Sequence, residues 1–179
     1  MSNDFEKSLA FVLKHETEFE KGHYGDMDFV RTEHDPHDAG GTTRFGIDQR
    51  SHEGVDIDKL TVEQATQIYR KDYWGKGNCQ ELPWPISLAH FDGCVNVGIN
   101  RATKILQEAV GANSDGSFGP ATKRALIEAC NKSSPRDIAE KISQGRRTYY
   151  CNLASKRPEM ERYLNGWLNR CTDLSISIV

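Results

Sequence analysis

From residue 60 onward the chain is a succession of apolar stripes at helical spacing, most of them opened by a cap or a proline. Apolar residues recurring at i, i+3, i+4 and i+7 face one side of a helix, and a strand, with its period of two, cannot gather them on one face. Leu60-Thr61-Val62-Glu63-Gln64 is a capping box with Leu60 placed as its staple. The helix it opens is predicted to run to about Tyr73-Trp74 and to bury Ala65, Ile68 and Tyr69. After Pro83 and Pro85, Leu88, Phe91 and Val95 share a face that ends near Gly98. Asn100 stands where a cap is expected, with Ala102, Ile105, Leu106 and Ala109 inward and Gly111 as the stop. Asp115-Gly116 predicts a turn, and Pro120 a helix start that buries Ala125, Leu126 and Ala129. Ser134-Pro135 opens a long helix to about Ala154, read with a face of Ile138, Ile142, Gly145 and Tyr149. Pro158 opens the last helix, with Met160, Leu164, Trp167 and Cys171, and residues 175–179 read as a short strand or a disordered tail.

The first third differs. Asn3 or Asp4 caps a helix whose stripe is Phe5, Leu9, Val12 and Leu13. Residues 19–47 are rich in Gly, Asp and His, include the pair Gly40-Gly41, and predict hairpins and loops. The fold class expected is mainly α, of the α+β kind. A small N-terminal hairpin-rich lobe is expected to pack on a bundle of about seven helices.

With 179 residues, the chain is long enough to bury a core without disulfide or metal staples. Five cysteines at 79, 94, 130, 151 and 171, an odd number with no CxxC pair, disfavour a disulfide framework or a cysteine-rich zinc site, and read as small buried hydrophobes. No stretch reaches the roughly 18–20 apolar residues of a membrane span. The start MSNDFEKSLAFVLKHE has Asp4 and Glu6 where a secretory signal would be basic, so synthesis in the cytoplasm without a signal peptide is expected. A net charge of −3 argues against a general nucleic-acid binder. That sum is uneven: residues 1–92 hold 10 Lys plus Arg against 18 Asp plus Glu, or −8, and residues 93–179 hold 13 against 8, or +5.

Glu16 is the sharpest candidate for chemistry. It lies three residues after Leu13 and four after Val12, on the stripe the helix turns inward, at the helix's C-terminal end. A carboxyl placed there can hold its proton and act as general acid; Glu18 and Glu20 compete for the role, and the alternative is a boundary Glu that reaches water. The second feature is Asp38-Ala39-Gly40-Gly41-Thr42-Thr43-Arg44-Phe45-Gly46-Ile47, which sets a carboxylate, a turn and a hydroxyl in one segment. Two carboxyls in unlike surroundings are what glycosidic cleavage requires, although an ordinary Asp-Gly turn fits the same residues. His34 and His37 with Asp35 and Asp38 meet no standard zinc spacing, and Asp26 with Asp28 give too few ligands for calcium, so no metal or other cofactor is expected.

These residues resemble glycoside hydrolase family 108, lysozyme-like N-acetylmuramidases found as phage endolysins and secretion activators. The resemblance rests on Leu13-Lys14-His15-Glu16 and Asp35-Pro36-His37-Asp38 through Ile47, then Ile68-Tyr69-Arg70-Lys71-Asp72-Tyr73-Trp74, Leu82-Pro83 and Phe91-Asp92-x-x-Val95-Asn96-x-Gly98. It continues into that family's peptidoglycan-binding part through Leu106-Gln107, Asp115-Gly116-Ser117-Phe118-Gly119-Pro120-x-Thr122, Arg146-x-x-Tyr149-Tyr150 and Gly166-Trp167-x-x-Arg170.

The resemblance implies a lysozyme-like fold, with a catalytic part over residues 1–92 and a helical peptidoglycan-binding part over 93–179 packed as one compact unit. It implies Glu16 as catalytic acid, Asp38 and Thr43 as assisting groups, and an inverting outcome. Glu16-Thr17-Glu18-Phe19 stands where the family has Glu-Gly-Gly and an aromatic. Residues 21–34 read as an inserted hairpin, so Asp26, Asp28 or Asp35 compete with Asp38. Tyr73 and Trp74 offer rings for sugar stacking or for core packing, and Asn96, on one helix face with Asp92, offers a substrate contact or a structural hydrogen bond. The implied partner is bacterial peptidoglycan, with no nucleic acid and no membrane span. The enzyme is expected to work as a monomer, released by a separate holin-like pore protein. A non-catalytic peptidoglycan-binding or secretion-helper protein and a metal-dependent cell-wall amidase are the competing readings.

Overall fold

The structure is a computed structural model that describes residues 3–17, 30–34 and 42–178. It is mainly helical with one small sheet, the lysozyme-like α+β class expected. The chain packs into two compact units: residues 9–71, and residues 72–179 together with 1–8. Helix α1, Asp4–Glu16, supplies its first turn to the larger unit and the rest to the smaller. Its expected stripe is realised, with Phe5, Leu9, Val12 and Leu13 all buried, joined by Phe11.

In the smaller unit, β1 (Glu33–His34), β2 (Thr42–Arg44) and β3 (Ile47–Asp48) form an antiparallel sheet in the order β1-β2-β3. Helix α2, Val62–Ile68, starts at the capping box read from sequence: the Thr61 hydroxyl accepts from the Gln64 backbone, and the Gln64 side chain accepts from the Thr61 N–H at 2.9 Å. The helix then continues as a π-helix over Tyr69–Gly75 rather than as a regular α-helix.

In the larger unit, α3 (Ile86–Val97) is the central helix, with every residue from Ile86 to Cys94 buried. A helix buried on every side belongs to the core although it carries Ser87, His90 and Asp92, and the expected division between residues 92 and 93 falls inside it. Helices α4 (Ile99–Val110) and α6 (Pro135–Lys156) pack on it, α5 (Pro120–Lys132) packs on α4 and α6, and α7 (Glu161–Ser177) packs on α6. Helix α6 packs on α7, α3 and α4. Gly145 lets α6 approach α4 closely, since a Cβ there would lie 2.9 Å from the Ile105 methyl.

Three sequence expectations are corrected here. The buried face of α6 runs through Ile138, Ile142, Arg146 and Tyr150, not through Tyr149, because Arg146 has a buried anionic partner. Residues 175–177 continue α7, whose Leu174 and the following Ile178 are buried. Helix α4 starts after Gly98, and Asn100 lies against the Gly116 turn instead of capping it.

Candidate functional site

The α1 helix ends at Glu16, directly beside the turn that joins β2 to β3. Arg44 pairs with Ile47, so Phe45 and Gly46 form a two-residue loop. Both take positive φ, +53° and +71°, the backbone of the tight hairpin turns that match strand twist. Positive φ is costly for an aromatic residue, and three contacts hold it there. The Phe45 ring is buried, Arg44 lies over it at 5.3 Å, and the buried Tyr69 hydroxyl donates to the Phe45 carbonyl at 2.9 Å. Arg44 also reaches the Asp58 carbonyl at 3.1 Å.

This turn seats Glu16. A Cβ on Gly46 would fall 2.6 Å from the Glu16 Cβ and 2.8 Å from the Tyr69 hydroxyl, so only glycine lets the loop press against the end of α1. Beside it opens a cleft of about 390 Å³, lined by His15, Glu16, Thr17, Glu33, Thr43, Gly46 and Asp48. The register explains the lining. Thr43 pairs with Glu33 on one side and with Asp48 on the other, and residues directly opposite in a sheet share a face. One face of the sheet therefore carries a hydroxyl flanked by two carboxylates, with half-buried Glu16 as a third beside them. One Asp48 oxygen accepts from the Ser51 N–H at 2.8 Å, which fixes the side chain. The Thr17 hydroxyl is buried at the cleft without a hydrogen-bond partner among the described residues.

Of the expected site residues, Glu16 and Thr43 meet in this cleft. Asp38, and the competing Asp26, Asp28 and Asp35, lie outside the described residues. Glu33 and Asp48 were missed. A two-residue Phe45-Gly46 loop pairs residue 43 with 48, so the turn signal was enough to find Asp48; Glu33 requires the register of a strand beyond the 35–41 segment.

Tyr73, Trp74 and Asn96 belong to the larger unit. Trp74 is 7% exposed and packs edge-on against Phe5 and Phe91 at 5.4 and 5.3 Å, a core position with little ring face to offer a sugar. Tyr73 is half-buried in the π-helix. Asn96 accepts a hydrogen bond from the Tyr150 hydroxyl, which accepts from Arg146 at 3.2 Å. Arg146 in turn pairs with Asp92, and Arg170 donates twice to the other Asp92 oxygen at 2.9 and 2.7 Å. Burial opposes ionisation of Asp92, but the two guanidiniums hold its carboxyl below the ordinary range. Trp167 stacks on Tyr150 with ring centres 5.0 Å apart. The Arg146, Tyr150, Trp167 and Arg170 signature thus builds one buried network. Gln107 does similar work for the 115–120 loop: its amide nitrogen lies 2.8, 3.1 and 3.0 Å from acceptors on Asp115, Ser117 and Thr122, and its oxygen accepts from the Gly116 N–H at 2.8 Å.

A helix-end glutamate beside a small antiparallel sheet that carries further carboxylates and a threonine supplies the residue types that glycosidic cleavage uses. Residues 9–98, half of the chain, match the family described as Glycosyl hydrolase 108, and the chain belongs to that family. Residues 101–172 match a second family, described as Predicted Peptidoglycan domain. Among solved structures the chain is similar to SagA of Brucella abortus, at 25% identity and a TM-score of 0.74, covering 96% of this chain and 91% of that one. No curated protein sequence matches. The protein is thus a glycosidase with a peptidoglycan-directed helical domain. No helix among the described residues is long and apolar enough to cross a membrane.

Proposed function

We propose that this protein is a muramidase, hydrolysing the β-1,4 bond between N-acetylmuramic acid and N-acetylglucosamine with Glu16 as general acid. The observation that carries this reading is the seat of Glu16: a helix-end carboxyl, fixed against Gly46, opening on a sheet face of Thr43, Glu33 and Asp48. The protonated Glu16 gives its proton to the leaving glycosidic oxygen. Water attacks the anomeric carbon from the opposite face, held by the Thr43 hydroxyl and activated by a carboxylate. By resemblance Asp38 is a candidate for that carboxylate, and Asp48 and Glu33 are the described carboxylates that flank Thr43. Direct attack by that water on the substrate, with no glycosyl-enzyme intermediate, gives inversion.

In this reading residues 1–92 carry the catalysis and residues 93–179 the wall contact. The protein acts as a phage endolysin that reaches the wall through a separate pore. The test is incubation with purified sacculi. A muramidase releases reducing ends at N-acetylmuramic acid; a pure binder releases none, and an amidase releases free amines and is silenced by a chelator. Measuring the anomer first formed tests inversion. Comparing Asp38→Asn, Asp48→Asn and Glu33→Gln identifies the base as the variant that loses turnover while still binding sacculi.

A further inference from the structure

A second constellation lies in the larger unit, apart from the Glu16 cleft. His90 and Cys94 stand four residues apart on α3 and so share one face of the helix. Cys79 opens the short 3-10 turn Cys79–Glu81. The two sulfurs and an imidazole nitrogen all lie within 4.8 Å of one another, and all three residues are 0% exposed. Cys94 Sγ is 3.5 Å from His90 Nε2, and the Gly77 carbonyl oxygen is 3.0 Å from the same nitrogen. A Cβ at position 77 would lie 2.6 Å from the Tyr73 carbonyl oxygen, 2.8 Å from Cys94 Sγ and 3.2 Å from Cys79 Sγ, so the backbone there packs directly on the two sulfurs.

The 3.5 Å sulfur–nitrogen separation fits a tetrahedral ion, and the 4.8 Å bound admits the sulfur pair. With zinc–sulfur near 2.3 Å and zinc–nitrogen near 2.05 Å, the tetrahedral angle sets sulfur and nitrogen roughly 3.6 Å apart and the two sulfurs roughly 3.8 Å apart. Two thiolates and an imidazole are a ligand set for zinc and not for magnesium or calcium. Full burial suits a closed structural site rather than a catalytic one, which keeps a position open to water or substrate.

We propose that Cys79, His90 and Cys94 form a structural zinc site, with the Gly77 carbonyl offering the fourth ligand, that pins the 77–81 turn to α3. Binding releases the two thiol protons and places the imidazole proton on Nδ1, leaving Nε2 for the metal. The site does not depend on the proposed muramidase chemistry.

The test is metal analysis of the full chain, expressed in zinc-supplemented medium and purified under reducing conditions. About one zinc per chain is expected, falling to near zero in Cys94→Ser and His90→Ala. Because those variants can misfold, the unmodified chain refolded with cobalt(II) is measured in parallel. Thiolate-to-cobalt charge-transfer absorption and the visible bands of a tetrahedral ion are expected. Zinc content well below one per chain, content unchanged by the variants, a cobalt spectrum without thiolate bands, or a Cys79–Cys94 disulfide in the purified protein would each overturn the proposal.

Discussion

Replacing Gly46 by alanine tests whether the β2–β3 turn seats the acid. The φ of +71° is in the left-handed region, which costs a residue with a Cβ about 1–2 kcal/mol. The added carbon would also sit 2.6 Å from the Glu16 Cβ and 2.8 Å from the Tyr69 hydroxyl. Neither neighbour is the far end of a flexible chain, since Glu16 Cβ is fixed by α1 and the Tyr69 hydroxyl is buried and bonded. Relief requires the loop or the helix end to move, at an overpacking cost of about 1–3 kcal/mol. The combined loss is about 2–5 kcal/mol, and the midpoint of thermal unfolding should fall by roughly 2–4 °C per kcal/mol. A displacement of about 1 Å at a catalytic group costs on the order of 100-fold in rate, so release of reducing ends should fall by that order under conditions where the variant is still folded. Gly54→Ala is the control: its φ is +87° but its Cβ would meet nothing, so it bears the backbone strain without the overlap and keeps its activity. A Gly46→Ala variant with activity within twofold of the parent, or a Gly54→Ala variant that loses as much, would refute the seating role.

Other expectations concern the supports of both units. Tyr69→Phe removes the hydrogen bond to the Phe45 carbonyl and should cost about 1 kcal/mol in urea unfolding, with a smaller activity loss than Gly46→Ala. Asp92 has a lowered folded-state value, so it contributes stability that is present above the unfolded value of about 3.9 and lost as pH falls through the folded one. Acid titration followed by circular dichroism should therefore show stability falling below about pH 4. Asp92→Asn, which leaves Arg146 and Arg170 facing a neutral group, should lose about 3–5 kcal/mol at neutral pH and show a flatter acid limb. Binding to sacculi should weaken with salt, since residues 93–179 carry a surplus of +5 and the wall is anionic. Arg146 and Arg170 are buried against Asp92, so Arg101→Ala or Lys104→Ala should lower binding while the two buried arginines act on stability alone.

Much of the helical frame was legible because the signals were local. The α1 stripe, the Thr61-Gln64 capping box and the proline at the start of α5 each depend on residues within one or two turns. The seat of Glu16 could be read from the same pattern, since Val12 and Leu13 fix the face that precedes it. What escaped depended on partners distant in sequence. Arg146 lies on the buried face of α6 only because Asp92, 54 residues earlier, neutralises it, and a hydropathy pattern counts it as solvent-facing. Glu33 joins the cleft through a strand register that no local pattern encodes. Cys79 meets His90 and Cys94 because the 77–81 turn folds back on α3, at a spacing that no short zinc motif covers.

If Glu16 is the proton donor of a wall-cleaving glycosidase, one substitution isolates that role. Glu16→Gln keeps the shape and removes the proton. Reducing ends released from purified sacculi should fall to the background of the uncatalysed control, while circular dichroism, thermal midpoint and sacculus binding match those of the parent. A folded Glu16→Gln protein that releases reducing ends at the parental rate would mean that Glu16 is not the proton donor.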